Sequence, residues 1–304
     1  MDVIRKIHKV IKNPRKLGAF IMWKTARFWN DETFLRLMFY FRMGRRLDIK
    51  KPILYNDKLQ WLKMYYRRNI MTDMVDKYKA KEYAKKLIGT EYIIPTLGVY
   101  ESVDDIDFAT LPNQFVLKCT HDSGGLVVCK DKMTLDIEKA KKKMAWALNR
   151  TYYYENREWP YKNVKRAIIA EKYMEDESGY ELKDYKFFCF DGIPHFLFVA
   201  TDRPHDTKFD FFDLNWNHLP FKQGHPNTTR QIPCPKNFEK MIELASKLSK
   251  GFPHVRVDLY NCNGKIYFGE MTFYHYSGMV PFCPAEWDAK FGKLIKLPAP
   301  IYEH

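Results

Sequence analysis

Apolar residues change their period once along this 304-residue chain. In NDKLQWLKMYYRRNIMTDMVDKYKAKEYAKKLIG (56–89) they recur at three- and four-residue spacing, which predicts helices. Asn56 and Thr72 are expected caps and Gly89 an expected stop. After Pro95 the pattern shortens to runs rich in Val, Ile, Phe and Tyr. QFVLKCT, LVVCKD, AIIAEKYM, KDYKFFCF, HFLFVAT, KFDFFDL, VRVDLY and KIYFGEM each read as a strand. Helices intervene at about 134–150 and 237–250, and Gly-Gly (124–125), Asp-Gly (191–192) and Asn-Gly (263–264) mark hairpin turns. Intermixed helices and hairpins predict an α+β chain with mainly antiparallel sheets. No GxGxxG follows a strand and no GxxxxGK[ST] occurs, which argues against Rossmann and P-loop nucleotide sites.

Composition adds size and location. A mass of 36.4 kDa allows two lobes, and 46% hydrophobic with 16% aromatic residues excludes a disordered chain. The net charge of +14 invites nucleic acid, but residues 1–50 hold 13 Lys/Arg against 4 Asp/Glu, which is +9 of that total. Charge confined to one end is an address or attachment rather than a property of a site, so no nucleic-acid partner is expected. The same segment interleaves cations with Phe, Trp, Met and Ile, without a run long enough to span a bilayer or a signal-peptide cleavage pattern. Two readings stay open: an interfacial helix on an anionic membrane surface, or helices whose aromatic faces pack on the protein's own core. Cys119, Cys129, Cys189, Cys234, Cys262 and Cys283 form no CxxC pair, and reduced thiols in a cytoplasmic protein are expected; the first of the two readings would make it peripheral on the inner membrane face.

Three stretches carry candidate chemistry. The first is VRVDLYNCNGKIYFGEMTF (255–273), an apolar hairpin holding Arg256, Asp258, Glu270 and Thr272. With a three-residue loop Cys262-Asn263-Gly264, Arg256 sits opposite Glu270 and Asp258 is diagonal to it on the same face. A two-residue Asn-Gly loop would send Asp258 and Glu270 to opposite faces. Two carboxylates so close repel unless a cation lies between them, and oxygen ligands favour Mg²⁺. The bland alternative is a structural Arg–carboxylate pair on a solvated face.

The second stretch, NQFVLKCTHDSGGLVVCKDK (113–132), places Lys118 near the end of a strand. It is followed by a polar loop, His121, Asp122, Ser123, Gly124 and Gly125, whose glycines allow an anion close to the backbone. In the third, IIAEKYMEDESGYELKDYKFFCFDG (168–192), a strand ends at Glu171 and a polar linker follows. The next strand puts Asp184 and Lys186 on one face.

The order of these features resembles the ATP-grasp superfamily, with D-alanine–D-alanine ligases as a local parallel. From about 73 to 298 the chain is more closely similar to the TupA-like ATP-grasp proteins of bacterial capsule and teichuronopeptide gene clusters. LPNQFVLKCTHDSGG, REWPYKNVK, LKDYKFFCFDG, SKGFPHVRVDLYNCNGKIYFGEMTF and PFCPAEWD carry that likeness. The resemblance implies an ATP-grasp fold, two α+β lobes clasping ATP behind basic N-terminal helices. The expected division is 1–72 for the helical segment, 73–170 for the N-terminal lobe and 171–304 for the C-terminal lobe.

It also implies roles. Lys77 and Lys118 would reach the ATP phosphates, and His121 to Gly125 would cover them. Glu171 and the backbone of Lys172, Tyr173 and Met174 would flank the adenine, with Asp184 toward the ribose. Asp258, Glu270 and Thr272 would hold Mg²⁺, while Arg256, Lys118 and Lys186 would serve the reacting centre. Thr272 stands where many relatives have Asn, and His275-Tyr276 where they often have Pro-Gly. The implied reaction joins a small amine to a sugar-acid carboxylate that is nucleotide-linked, lipid-linked or polymeric. A glycosyltransferase is the competing expectation, because Asp105-Ile106-Asp107 spells its metal motif, although no apolar strand leads into it.

Overall fold

The computed structural model describes residues 13–303 apart from 180, 204 and 205. The chain opens with α1 (Pro14–Lys24), whose first amides are capped by the Asn13 side chain, and α2 (Asp31–Met43), which ends at Gly44 with φ 72°. Then come α3 (Tyr55–Tyr65), the short strand β1 (Tyr66–Arg67), α4 (Asn69–Val75) and α5 (Lys79–Ile88). The helical period of 56–89 is thus realised, and Gly89 stops α5 with φ 105°. The expected caps are not: Asn56 and Thr72 both lie inside helices. The Asn56 amide instead donates to Asp288 Oδ1 at 2.9 Å, a cap supplied from 232 residues away that local pattern cannot reveal.

The N-terminal sheet contains β2 (Thr96–Tyr100), β3 (Phe115–Cys119), β4 (Leu126–Cys129) and β5 (Ile168–Lys172) in the order β2-β5-β3-β4, antiparallel throughout. Helix α6 (Ile137–Leu148) seals one face, burying Ala140, Met144 and Ala147 with Leu117 and Cys119. A short α7 (Tyr153–Asn156) precedes β5. Strand β2 carries no strand pattern in the sequence, because its burial is poor and a bulge at Leu97, between Thr96 and Gly98, interrupts its alternation.

The C-terminal sheet is built from β6 (Asp184–Phe190), β7 (Ile193–Thr201), β8 (Lys208–Asp213), β10 (His254–Cys262) and β11 (Lys265–Thr272), with β9 (Lys222–Gln223) between them in the chain. Its order is β11-β10-β6-β7-β8, again antiparallel. Val255, Val257 and Leu259 face one way, onto Met241, Leu244 and Leu248 of α8 (Phe238–Ser249). The other face changes character along its length. At one end Phe190, His254 and Phe188 lie beneath Tyr55 and Phe291, the latter from α9 (Glu286–Leu294). At the other end the same face carries Arg256, Lys186, Asp258 and Asp184. Two small pairings, of β9 with β12 (Phe282–Cys283) and of β1 with β13 (Ile301–Tyr302), complete the strands.

The core does not divide at 72/73. Tyr55, Leu59 and Leu62 of α3 and Ala80 and Ala84 of α5 belong to the C-terminal lobe's core, while α1 and α2 build a separate small core around Phe34, Met38 and Met22. All six cysteines are free thiols, as expected.

Candidate active site

The hairpin of β10 and β11 turns through Asn263 and Gly264, at φ 55° and 91°, the left-handed pair that a two-residue loop requires. This corrects the three-residue loop expected from sequence. In an uninterrupted ladder this turn would put Asp258 opposite Gly269, with Glu270 on the far side. A β-bulge between Asp258 and Leu259 moves the register by one residue, leaving Gly269 unpaired. Asp258 therefore faces Glu270 directly, and Arg256 faces Thr272 rather than Glu270. Glycine fits at the bulge because a Cβ there would lie 3.0 Å from the Asp258 carbonyl oxygen.

Around this bulge the polar groups converge. Arg256 grips Asp258 with two bonds of 2.7 Å, from Nε to Oδ1 and from Nη2 to Oδ2. Its Nη2 also reaches Glu270 Oε1 at 3.2 Å and the Thr272 hydroxyl at 3.0 Å. Lys186, opposite Asp258 on β6, donates to Asp258 Oδ2 and lies 3.4 Å from Asp184 Oδ2, which also pairs with Arg203. Asp258 is completely buried, so its charge depends on these two cations. Glu270 is different: 43% of its side chain is open. Burial opposes its ionisation, but Lys186, Arg256 and Lys77 outweigh that and hold its carboxyl at about 2.

A fourth Arg256 contact reaches His275. Nη1 donates to His275 Nδ1 at 2.7 Å, so the other nitrogen, Nε2, carries the proton given to Gln223 Oε1 at 3.2 Å. Burial, then the adjacent guanidinium, push His275 well below its ordinary range and keep it neutral. After His275 the backbone takes three successive left-handed residues, Tyr276, Ser277 and Gly278. This strap is pinned by α3, with Gln60 Nε2 donating to the Ser277 and Gly278 carbonyls at 2.9 Å and Lys63 Nζ to Ser277 at 2.7 Å. A bare His or Gln offers no sequence period, and these partners of His275 and Gln60 are 19 to 218 residues away.

The N-terminal lobe presents cations. Lys118 on β3 and Lys81 on α5 both bind Glu171, at 2.6 and 2.7 Å. Burial opposes the charge on Lys118, yet Glu171 and then Glu270 and Asp184 of the other lobe raise it above its ordinary value. Burial lowers Lys81 despite Glu171. Glu171 is itself held at about 2 by these lysines against the effect of burial. Lys81 lies one helical turn beyond Lys77 in VDKYKAKEY and is a cation of this cluster that the resemblance does not name. Lys77 precedes the helix and donates to the Asp122 carbonyl; Asp76 caps the helix through the amides of Tyr78 and Lys79.

In the Gly loop, His121 and Asp122 are buried toward the lobe, where Arg150 meets both. Ser123 and Gly124 are exposed at the tip. Gly124 has φ 103°, and Gly125 packs so closely that a Cβ would lie 2.7 Å from that of Ala147. Past Glu171, Lys172 points to solvent, and Tyr173 and Met174 are half-buried. Asp105 and Asp107 lie elsewhere: each accepts a local amide, from Ser102 and Ala109, in turns.

Lys77 and Lys118 on one lobe thus act electrostatically on Glu270, and Lys118 also on Asp184, of the other. For Mg²⁺, the donor types fit: an open Glu270 carboxylate, the Thr272 hydroxyl and the Asp258 carboxylate are all oxygen. Asp258 would first have to release an oxygen from Lys186 or Arg256. Among the described residues, no cluster of three or more His, Cys, Asp or Glu could hold a metal by itself.

The TupA-like ATPgrasp family model matches residues 57–296. Among solved structures the chain is similar to the D-alanine–D-alanine ligase from Helicobacter pylori, with 17% identity, a TM-score of 0.42, and coverage of 80% of this chain and 69% of that one. The Bacillus anthracis D-alanine–D-alanine ligase complexed with ATP has 15% identity, a TM-score of 0.44 and coverage of 75% and 67%. D-cycloserine synthetase DcsG has 17% identity, a TM-score of 0.42 and coverage of 90% and 82%. No curated protein matches the chain.

Proposed function

Because the chain belongs to the TupA-like ATP-grasp family, we propose that it is an ADP-forming carboxylate–amine ligase. The observation that carries this reading is the pair of facing clusters. Lys77 and Lys118 offer positive charge to a polyphosphate, and Arg256, Lys186, Asp258 and Glu270 form a charged floor across from them.

A carboxylate is a poor electrophile, and its reaction with ATP brings two anions together. Its oxygen takes the γ-phosphoryl group, ADP leaves, and an acyl phosphate results. The amine then attacks the acyl carbon, inorganic phosphate departs and the amine proton is lost, leaving an amide. Lys77 and Lys118 hold phosphate oxygens, and Lys118 exchanges Glu171 for them. Arg256 is locked by Asp258 and neutral His275, so its remaining hydrogen-bonding capacity is aimed without reorganisation at charge developing beside Glu270. Glu270, Thr272 and Asp258 would hold Mg²⁺, which supplies charge neutralisation on the phosphates. Glu171 and the linker Lys172 to Met174 flank the adenine, and Asp184 is turned toward the ribose in this reading.

The proposed acceptor is a sugar-acid carboxylate of a capsular or other surface polysaccharide or its nucleotide-sugar precursor, and the amine an amino acid or amino alcohol. Support comes from the resemblance to proteins of capsule and teichuronopeptide clusters. The test is ADP release over uronic acids, free and nucleotide-linked, crossed with amines, with the product identified by mass. Glu270→Gln should lose at least about 100-fold in turnover and require more Mg²⁺. Wild-type turnover in that variant would refute the site. A glycosyltransferase is disfavoured because Asp105 and Asp107 serve local turns; stabilisation by nucleotide sugars but not by Mg–ATP in a thermal shift would restore it.

A further inference from the structure

The sequence left open whether the basic, aromatic N-terminal region covers the protein's core or faces outward. The structure divides it. Met22 and Ala26 are buried, and Gly18 passes so close to Phe41 of α2 that a Cβ would lie 2.4 Å from its ring. That is the packed side. The other side of α1 and the turn after it expose Phe20 (47%), Ile21 (50%), Trp23 (44%) and Phe28 (89%). These large apolar groups are interleaved with cations: Lys24 Nζ lies 4.7 Å from the Trp23 ring and 5.7 Å from that of Phe20. Between residues 13 and 30 there are four Lys/Arg and no Asp or Glu.

A face that exposes aromatics, carries only positive charge and is backed by a folded helix pair has the chemistry of a bilayer headgroup region. Rings enter the acyl boundary while ammonium and guanidinium groups meet lipid phosphates. No described helix is long and apolar enough to cross a membrane. We propose that the α1 face, centred on Phe20, Trp23, Lys24 and Phe28, docks on an anionic phospholipid surface. Charge complementarity selects that occupant over a second copy, because two such faces would bring like charges together.

Attachment here is mechanically linked to the rest of the molecule. Asp31 at the start of α2 accepts from Tyr153 at 2.5 Å and pairs with Arg67 and Arg157 at 3.0 and 3.1 Å. Met279, just past the strap, lies in the α1–α2 core. The docking face is therefore fixed relative to the strap that follows His275. The proposal stands apart from the ligase reading, since it needs neither ATP nor an acceptor.

The experiment is co-sedimentation of the full chain with vesicles of phosphatidylcholine alone or mixed equally with phosphatidylglycerol. Wild type should pellet with the anionic vesicles at low salt and be released at high salt. Each cation removed should weaken binding about fivefold, so Lys16→Ala with Lys24→Ala loses about 25-fold. Phe20→Ser with Trp23→Ser and Phe28→Ser should lose at least about tenfold, with circular dichroism and turnover on soluble substrate unchanged. Failure of wild type to pellet, or equal pelleting of wild type and variants, overturns the proposal. So does a dimer in light scattering that the aromatic variant abolishes, which would assign the face to a second copy.

Discussion

Replacing Glu171 by Gln tests the electrostatic reading of the N-terminal lobe most directly. Glu171 keeps only 7% of its side chain exposed and lies 2.6 and 2.7 Å from the ammonium groups of Lys118 and Lys81. A carboxyl held at about 2 when folded, against about 4.3 in an unfolded chain, carries about 3 kcal/mol of folding free energy at neutral pH. Lys81, depressed by burial, offsets part of this, because it can shed its proton once the carboxylate is gone. The expected cost of Glu171→Gln is therefore about 2 kcal/mol near pH 7. The folded value lies below the unfolded one, so the contribution is complete above about pH 4.3 and disappears as pH falls toward about 2. Urea unfolding followed by circular dichroism, for wild type and variant from neutral pH down to about 3, reads the gap directly. A gap below about 0.5 kcal/mol at neutral pH, or one that does not narrow on acidification, would refute the assigned charge state and its partners.

Two further outcomes follow from the C-terminal lobe. His275→Phe removes the acceptor of Arg256 Nη1, so turnover should fall about 10- to 100-fold with the KM for ATP changed much less; His275→Asn, whose carbonyl can accept the same bond, should recover part of it, and equal loss in both variants would leave His275 a merely structural residue. Gly269→Val forces a side chain against the Asp258 carbonyl and Tyr260, so stability should drop by about 1–3 kcal/mol, measured by thermal unfolding, and turnover should fall with it as Glu270 shifts. An active, equally stable valine variant would show that the bulge does not depend on glycine.

How much of this was legible beforehand varied with the range of the interaction. Every segment of the C-terminal sheet from KDYKFFCF to KIYFGEM could be read as a strand, because alternation and β-branched or aromatic content are local properties. The family resemblance named Lys118, Glu171, Arg256, Asp258 and Glu270 from their order along the chain. The register could not be read so easily. The two-residue turn at Asn263-Gly264 replaces the expected three-residue loop and by itself would separate Asp258 from Glu270, and it takes the bulge at Gly269 to reunite them. One glycine in a strand does not announce a bulge, since its consequence depends on which partner it faces.

What the amino-acid sequence determined by itself was therefore the set of elements, the types of charge they carry and the family they belong to. Tertiary structure alone decided which charges meet: Lys81 and Lys118 on Glu171, His275 behind Arg256, and Gln60 and Lys63 under the strap. It also decided which side of α1 faces solvent. Propensity and period act over a few neighbouring residues, whereas a buried charge takes its partner from whatever the packed fold brings within about 3 Å, however distant in the chain.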